Sequence, residues 1–323
     1  MSGSPTPALG PPVAHAARLT DFDQVGAVFT SWQGRFEQLS GGRFEAALRV
    51  VRGGSVRIVG IEANQRVLIR GHDVVGLFSV YPVTSTNAGS VWQGRQLAPG
   101  HVVVNGVHAE VDHVSGRRSD SQGMTLRPET LADAARALLA TDAVSLPPTW
   151  AALAPPPEAF ASLNRYLARL LEAGVSDPSL LGTPEGDRLE QECVRALVAG
   201  LFPAAAPPQE PSPSARSGIL RRAEEFMRAR LGAPVGAIDL CRELGVGDRT
   251  LRLAFRERYG LGPMAYFKCL RLNAVRARLK ADPQGAIADV ARANGFHHLG
   301  NFAADYRRLF GVRPSETARG ATG

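Results

Sequence analysis

The sequence predicts an α+β chain in two domains, a β-rich N-terminal domain with flanking helices and an all-α C-terminal domain. Short Val/Ile/Leu-rich runs recur between residues 44 and 127, separated by Gly, Asn and Pro turns. Strands spaced roughly 8–12 residues apart in this way make a sandwich or barrel. After Arg127 the apolar period becomes helical. The charge also divides: from Ser214 onward 20 Lys+Arg face 10 Asp+Glu, a net +10, whereas residues 1–213 carry −3.

A chain of 323 residues, 44% hydrophobic, can bury a full core in each of two domains. No apolar run approaches the roughly 18 residues of a membrane span. Met1–Pro12 has neither a basic segment nor an apolar one, so it reads as a loose tail (1–17) rather than a secretion signal. Cys193, Cys241 and Cys269 are odd in number and far apart, which argues against disulfides and structural zinc and points to a cytoplasmic protein. A basic C-terminal third beside a mildly acidic front is the footprint of nucleic-acid binding, although a solvated basic surface gives the same count.

In order, the expected strands are Phe44–Val51, Ser55–Glu62, Arg66–Arg70, Val74–Val80, Val91–Leu97, His101–Asn105, Ala109–His113 and Gln122–Arg127. Gly53-Gly54 suits a hairpin between the first two. Leu131, Ala134, Ala135, Leu138 and Leu139 then mark one helical face, and Glu158–Ala173 and Glu185–Leu201 carry similar stripes. Such stripes cover the β domain or form a dimer surface. Pro203–Ser214 is a linker by composition. The domains are therefore 18–202 and 217–318, joined by a linker at 203–216.

The C-terminal domain writes one idea twice. A short helix, a tight Gly245-Val246-Gly247 turn and a second helix fill 236–259; Asn294-Gly295-Phe296 plays the same part in 286–310. Small Cys241, turn Gly245 and apolar Leu251 fall where a helix-turn-helix needs them. On a wheel of about 100° per residue, Leu251, Phe255 and Tyr259 face inward. Arg249, Thr250, Arg252, Leu253 and Arg256 are left to read a major groove. Arg249 and Arg252 suit guanine edges or phosphates; Leu253 is either a thymine-methyl contact or a lone exposed leucine. In the second unit Phe302, Tyr306 and Leu309 face inward, and His298, Gly300, Asn301, Ala304, Arg307 and Arg308 are left for DNA. Asn301 suits adenine, while Arg307 and Arg308 suit phosphates. The first unit should therefore specify and the second position. A linker helix at 263–280, ~27 Å long, would place the two reading helices in successive major grooves ~34 Å apart.

Leu244-Gly245-Val246, Arg249-Thr250-Leu251, Tyr259-Gly260-Leu261-Gly262-Pro263, Asp289-Val290-Ala291, Gly295-Phe296 and Phe310-Gly311-Val312-Arg313-Pro314-Ser315 resemble the DNA-binding domain of the AraC family of bacterial regulators. The likeness covers about 217–318. It departs from the family pattern at Cys241, often Ala, and at Gly247, often a Ser cap. The resemblance implies a cupin-like N-terminal barrel that senses a small-molecule effector or forms a homodimer. It also implies an activator of transcription that binds double-stranded promoter DNA and meets RNA polymerase. No catalytic residue, cofactor or metal site is expected, and no membrane association. His72, His101, His108 and His113 lack a metal-binding spacing, and the cysteines lie on helices expected to be packed and inert. The competing readings are a metal-dependent cupin enzyme fused to a DNA reader, and a non-specific architectural DNA-binding protein.

Overall fold

The structure is a computed structural model that describes residues 9, 11–28, 33–72, 76–107, 109–139, 146, 149–202 and 215–320. The N-terminal part runs β1 (Val13–Leu19), α1 (Asp23–Val28), β2 (Gln33–Gln38), β3 (Ala46–Arg52), β4 (Val56–Ala63), β5 (Val67–His72), β6 (Phe78–Pro82), β7 (Val91–Trp92) and β8 (Arg95–Gln96). It continues with β9 (Val102–Asn105), β10 (Glu110–Val114), β11 (Ser119–Leu126), α2 (Pro128–Leu139), β12 (Trp150–Leu153), α3 (Pro157–Ser176) and α4 (Pro184–Leu201). The C-terminal part is α5 (Ala215–Arg228), α6 (Ala237–Leu244), α7 (Asp248–Tyr259), α8 (Pro263–Ala281), α9 (Ile287–Ala293), α10 (Leu299–Phe310) and α11 (Pro314–Gly320).

The expected barrel is instead two open sheets. One has the order β1-β3-β4-β11-β6-β9-β12 and the other β2-β5-β10-β7-β8, and every ladder is antiparallel. The physical reason is that each sheet has a layer to cover on both sides. The larger sheet turns one face to α3 and α4, and the smaller turns one face to the C-terminal helices. Strands covered on both faces lose the alternation of a half-exposed strand; in β9 Val102, Val103, Val104 and Asn105 are all buried. The strand at Val13–Leu19 also shortens the expected tail of 1–17. Residues 1–8 and 10, the linker segment 203–214 and His108 lie outside the described residues.

The helical stripes cover the larger sheet. Leu131 and Ala135, Leu163, Leu167, Leu170 and Leu171, and Cys193, Ala196 and Leu197 join Val51, Val56, Ile58, Val80 and Leu126 in one core. Leu138 and Leu139 end α2 exposed. The β3–β4 hairpin is held from below by α4: the amides of Gly54 and Ser55 donate to the Glu190 carboxylate at 3.0 and 2.7 Å. A side chain at Gly53 would strike that carboxylate, since its Cβ would lie 1.7 Å from Oε1.

The linker helix α8 is more than a spacer. Tyr266, Phe267 and Leu270 are buried in the first unit, whereas Leu272, Val275 and Leu279 are buried with the second and with the β domain. Buried residues on more than one side make it an internal helix along much of its length, although it carries five cations and leaves Met264, Lys268 and Arg278 exposed. Its polar residues also dock the N-terminal domain. The buried Asn273 accepts from the Gln38 amide at 3.1 Å and donates to the Gln38 carbonyl at 3.0 Å, extending the edge of β2 as a strand would. Arg276 lies over the Phe22 ring and pairs with Asp21 and Asp23, each at 2.6 Å. The second unit docks too, because the Gly42 amide donates to the carbonyls of Arg308 and Leu309 at 3.1 Å. Asn273→Ala would leave the Gln38 amide and carbonyl buried without partners, at a cost of ~2–4 kcal/mol. Chemical denaturation should show this loss, and proteolysis should show the two domains separating before either unfolds.

Candidate nucleic-acid interface

Helices α7 and α10 each expose the residues expected to meet DNA. In the first unit Gly245 ends α6 in the left-handed conformation, φ 67°, and the Val246 amide returns to the Cys241 carbonyl at 3.2 Å. This tight turn sets α7 across α6. Leu251, Ala254, Phe255 and Tyr259 are buried, and Tyr259 stacks on Tyr266 with ring centroids 4.0 Å apart. Arg249, Thr250, Arg252, Leu253 and Arg256 are exposed together. Arg252 leans on Asp248 at 2.8 Å, whereas Arg249 and Arg256 form no ion pair among the described residues. Leu253 is 45% exposed, which is open enough to meet a base methyl. Gly247 caps α7 without a side-chain bond, so the first amides of that helix remain available to a phosphate.

In the second unit Gly295, φ 81°, and the bond from the Phe296 amide to the Ala291 carbonyl (3.0 Å) make the turn. Phe302, Tyr306, Leu309 and Phe310 are buried on α10, and Gly300, Asn301, Ala304, Arg307 and Arg308 are exposed. His298 is exposed as the N-cap residue, just before the helix proper. Arg308 is less free than its exposure suggests. Its guanidinium pairs with Asp305 at 2.8 Å, and its carbonyl belongs to the contact with Gly42.

The wheel missed the buried side of α7. Arg258 stands seven residues from Leu251, two helical turns on, and therefore faces inward; it is 3% exposed. A charge on an inner face needs a partner, and here Asp112 of β10 supplies it, with the Val91 carbonyl at 3.2 Å as a second acceptor. This pair belongs to a larger ionic cluster. Glu224 of α5 takes Arg70 at 2.5 Å, Arg228 at 2.8 Å and Arg35 at 3.1 Å. Arg228 also meets Glu37 at 2.7 Å, and Arg70 meets Asp112 at 3.1 Å. Burial would push the Glu224 carboxyl up, but the charges and hydrogen bonds of Arg70 and Arg228 hold it down at about 2.

The smaller sheet carries these partners by its pleat. Arg35, Arg70 and Asp112 are register partners across β2, β5 and β10, and so share one face. Their neighbours Phe36, Ile69 and His113, with Trp92 beside His113 on β7, form the next row on the opposite face. That opposite face lines a cavity of about 140 Å³ between the two sheets. Trp92 and His113 stack at 3.8 Å and 15°. Burial, then the nearby charge of Arg258, lowers the imidazole of His113 to about 3, so the ring is neutral near pH 7. The sheet is thus a partition, with a cavity on one side and α5, α7 and α8 on the other.

Two of the cysteines sit in apolar, inert settings. Burial pushes the Cys193 and Cys269 thiols up to about 12. Among the described residues no group of three or more His, Cys, Asp or Glu is placed to hold a metal ion, and no helix is long and apolar enough to cross a membrane.

Two exposed helices, each set by a glycine turn and backed by an aromatic core, define a DNA-binding domain of two helix-turn-helix units. Residues 240–320 match the family model described as a helix-turn-helix domain. The chain is 36% identical over 130 residues to the "Probable thc operon regulatory protein" of Rhodococcus erythropolis, over 38% of this chain and 39% of that protein. It is 32% identical over 101 residues to XylDLEGF operon transcriptional activator 1 of Pseudomonas putida, over 30% of each. The chain thus spans well under half the length of these curated relatives. A solved structure of a probable AraC family transcriptional regulator from Rhodopseudomonas palustris is 33% identical, covering 32% of this chain and 97% of that one, with a TM-score of 0.30. The C-terminal domain is thus a helix-turn-helix domain similar to those of bacterial transcription regulators of the AraC type.

Proposed function

We propose that the whole chain is an effector-responsive activator that grips promoter DNA with α7 and α10 and is governed from the cavity between its sheets. The observation that carries this reading is the partition sheet. One face lines an apolar cavity, and the other holds Arg258 of the helix that presents Arg249 and Arg252 to DNA. A guest that shifts the Trp92–His113 row moves the strand that carries Asp112. The coupling therefore needs no pathway longer than one residue of β10. Arg249, Thr250, Arg252, Leu253 and Arg256 act as the reading face. His298, Gly300, Asn301, Ala304, Arg307 and Arg308 act mainly as the clamp.

Homodimerisation through the N-terminal domain, contact with RNA polymerase and a place in the cytoplasm belong to the same reading and rest on the family resemblance. A metal-dependent enzyme finds no supporting cluster of ligands among the described residues. Footprinting the DNA upstream of the chain's own gene tests the regulator directly. The expected result is a protected site covering two successive major grooves on one helical face. Uniform binding with no protected site would establish an architectural protein instead.

A further inference from the structure

The cavity between the sheets specifies a kind of guest. Its walls are largely apolar and aromatic, with Phe36 and Ile69 in the same row as the Trp92–His113 stack and Val59, Ile61 and Tyr81 of the larger sheet also lining it. Its volume of about 140 Å³ is close to the ~150 Å³ at which an apolar protein cavity accepts benzene. The stack, at 3.8 Å and 15°, makes a flat wall on which a ring can lie. His113, one of the lining residues, also has an unused polar atom, since its Nε2 is buried and has no hydrogen-bond partner. A neutral imidazole nitrogen can accept from a hydroxyl or, in the other tautomer, donate to a carbonyl. Arg57, the one cation among the lining residues, has a partner within the chain, and its Nε is buried without a hydrogen bond of its own. An anionic guest would leave water for a mostly apolar chamber, which is costly without a dedicated counter-charge.

We propose that this cavity takes a compact, uncharged, single-ring molecule, laid against the Trp92–His113 wall and hydrogen-bonded to His113 through one hydroxyl or carbonyl group. Calling that molecule the effector rests on the regulator reading above, but its binding does not.

Titrating the full chain at pH 7 with phenol, toluene and benzoate, by calorimetry and tryptophan fluorescence, tests the assignment. Phenol should bind roughly tenfold or more tighter than toluene, the difference expected for satisfying one buried nitrogen, and benzoate should bind more weakly than phenol by at least the same factor. His113→Phe should abolish the preference for phenol over toluene while keeping toluene binding. Because that variant could fail to fold, the unaltered chain gives a second reading. In nitrogen-15 spectra phenol should move the His113 Nε2 signal, and toluene should leave its protonation signature unchanged. Binding of benzoate as tight as phenol, absence of binding by all three probes, or an unmoved nitrogen signal with phenol bound would each overturn the proposal. If the operator footprint is lost but phenol still binds, the regulator reading fails and this assignment stands; the opposite pattern overturns this assignment alone.

Discussion

Glu224→Ala should destabilise the chain by about 3–5 kcal/mol, the cost of removing the anion at the centre of a largely buried ionic cluster and leaving Arg70 with Asp112 alone and Arg228 with Glu37 alone. Glu224 is 2% exposed and takes three guanidiniums, two of them, Arg35 and Arg70, from the β domain. Arg35 and Arg70 are register partners on adjacent strands, so removing the carboxylate sets two like charges side by side. The effect has a defined pH signature. The Glu224 carboxyl is held at about 2 in the fold against an ordinary 4.5. The unfolded chain therefore takes up the proton first as pH falls. The contribution, about 3 kcal/mol, is fully present above pH 4.5 and is lost between there and pH 2. Urea midpoints measured across that range should show the gap between the native chain and the variant widest above pH 4.5 and nearly closed at pH 2. A gap that persists unchanged to pH 2 would mean that the carboxylate's charge is not what the variant removes.

The second large effect concerns reading. Arg249→Ala together with Arg252→Ala should weaken operator binding by about 10²- to 10³-fold or more while weakening random DNA far less, because a bidentate base contact is worth ~1–3 kcal/mol of discrimination. Arg307→Ala with Arg308→Ala should weaken operator and random DNA by similar factors and flatten the dependence on salt, the mark of lost phosphate contacts. Both arginines of the first pair are exposed on α7, and Leu253 beside them is 45% exposed. The second face offers Gly300 and Ala304 where long side chains would be needed to read bases. Mobility shifts on specific and scrambled duplexes at two salt concentrations decide the matter, and equal specificity losses from the two pairs would overturn the division of labour.

Much of this was legible in the residues. The strands between Ala46 and Leu126 fall close to the Val/Ile/Leu runs that announced them, because a strand buried by its own apolar residues writes its position locally. The strands at Val13–Leu19, Gln33–Gln38 and Trp150–Leu153 did not announce themselves. Gln-Gly-Arg-Phe-Glu-Gln is polar at alternate positions, and it becomes a strand because β5 pairs with it and Glu224 and Arg228 receive its charges. The exposed faces of α7 and α10 were legible because helical period alone separates Leu251 and Phe255 from Arg249 and Arg252. The ionic cluster was hidden by separation along the chain: Arg70 and Glu224 are 154 residues apart. A trace of it was present in Arg258, a charge on the same stripe as Leu251, which signalled a buried partner without saying which. A closed barrel was the wrong expectation because alternation in a sequence marks which residues share a face and leaves open whether the sheet's edges meet.

The pleat of β10 has a practical consequence. Positions 111 and 113 line the chamber, while position 112 holds Arg258 of α7. On the effector reading proposed above, a single strand keeps two tasks on interleaved positions: the odd ones meet the guest, and the even one holds the helix that would answer it. A random library at Val111 should change the choice of inducer while leaving the size of the response in place, whereas replacing His113, whose row carries the coupling, should change both. Graded replacements at Asp112 should change basal expression and induction range with the inducer unchanged. A chain built this way can be retuned along two independent axes, the arrangement an engineer would want in a reporter for a new small molecule.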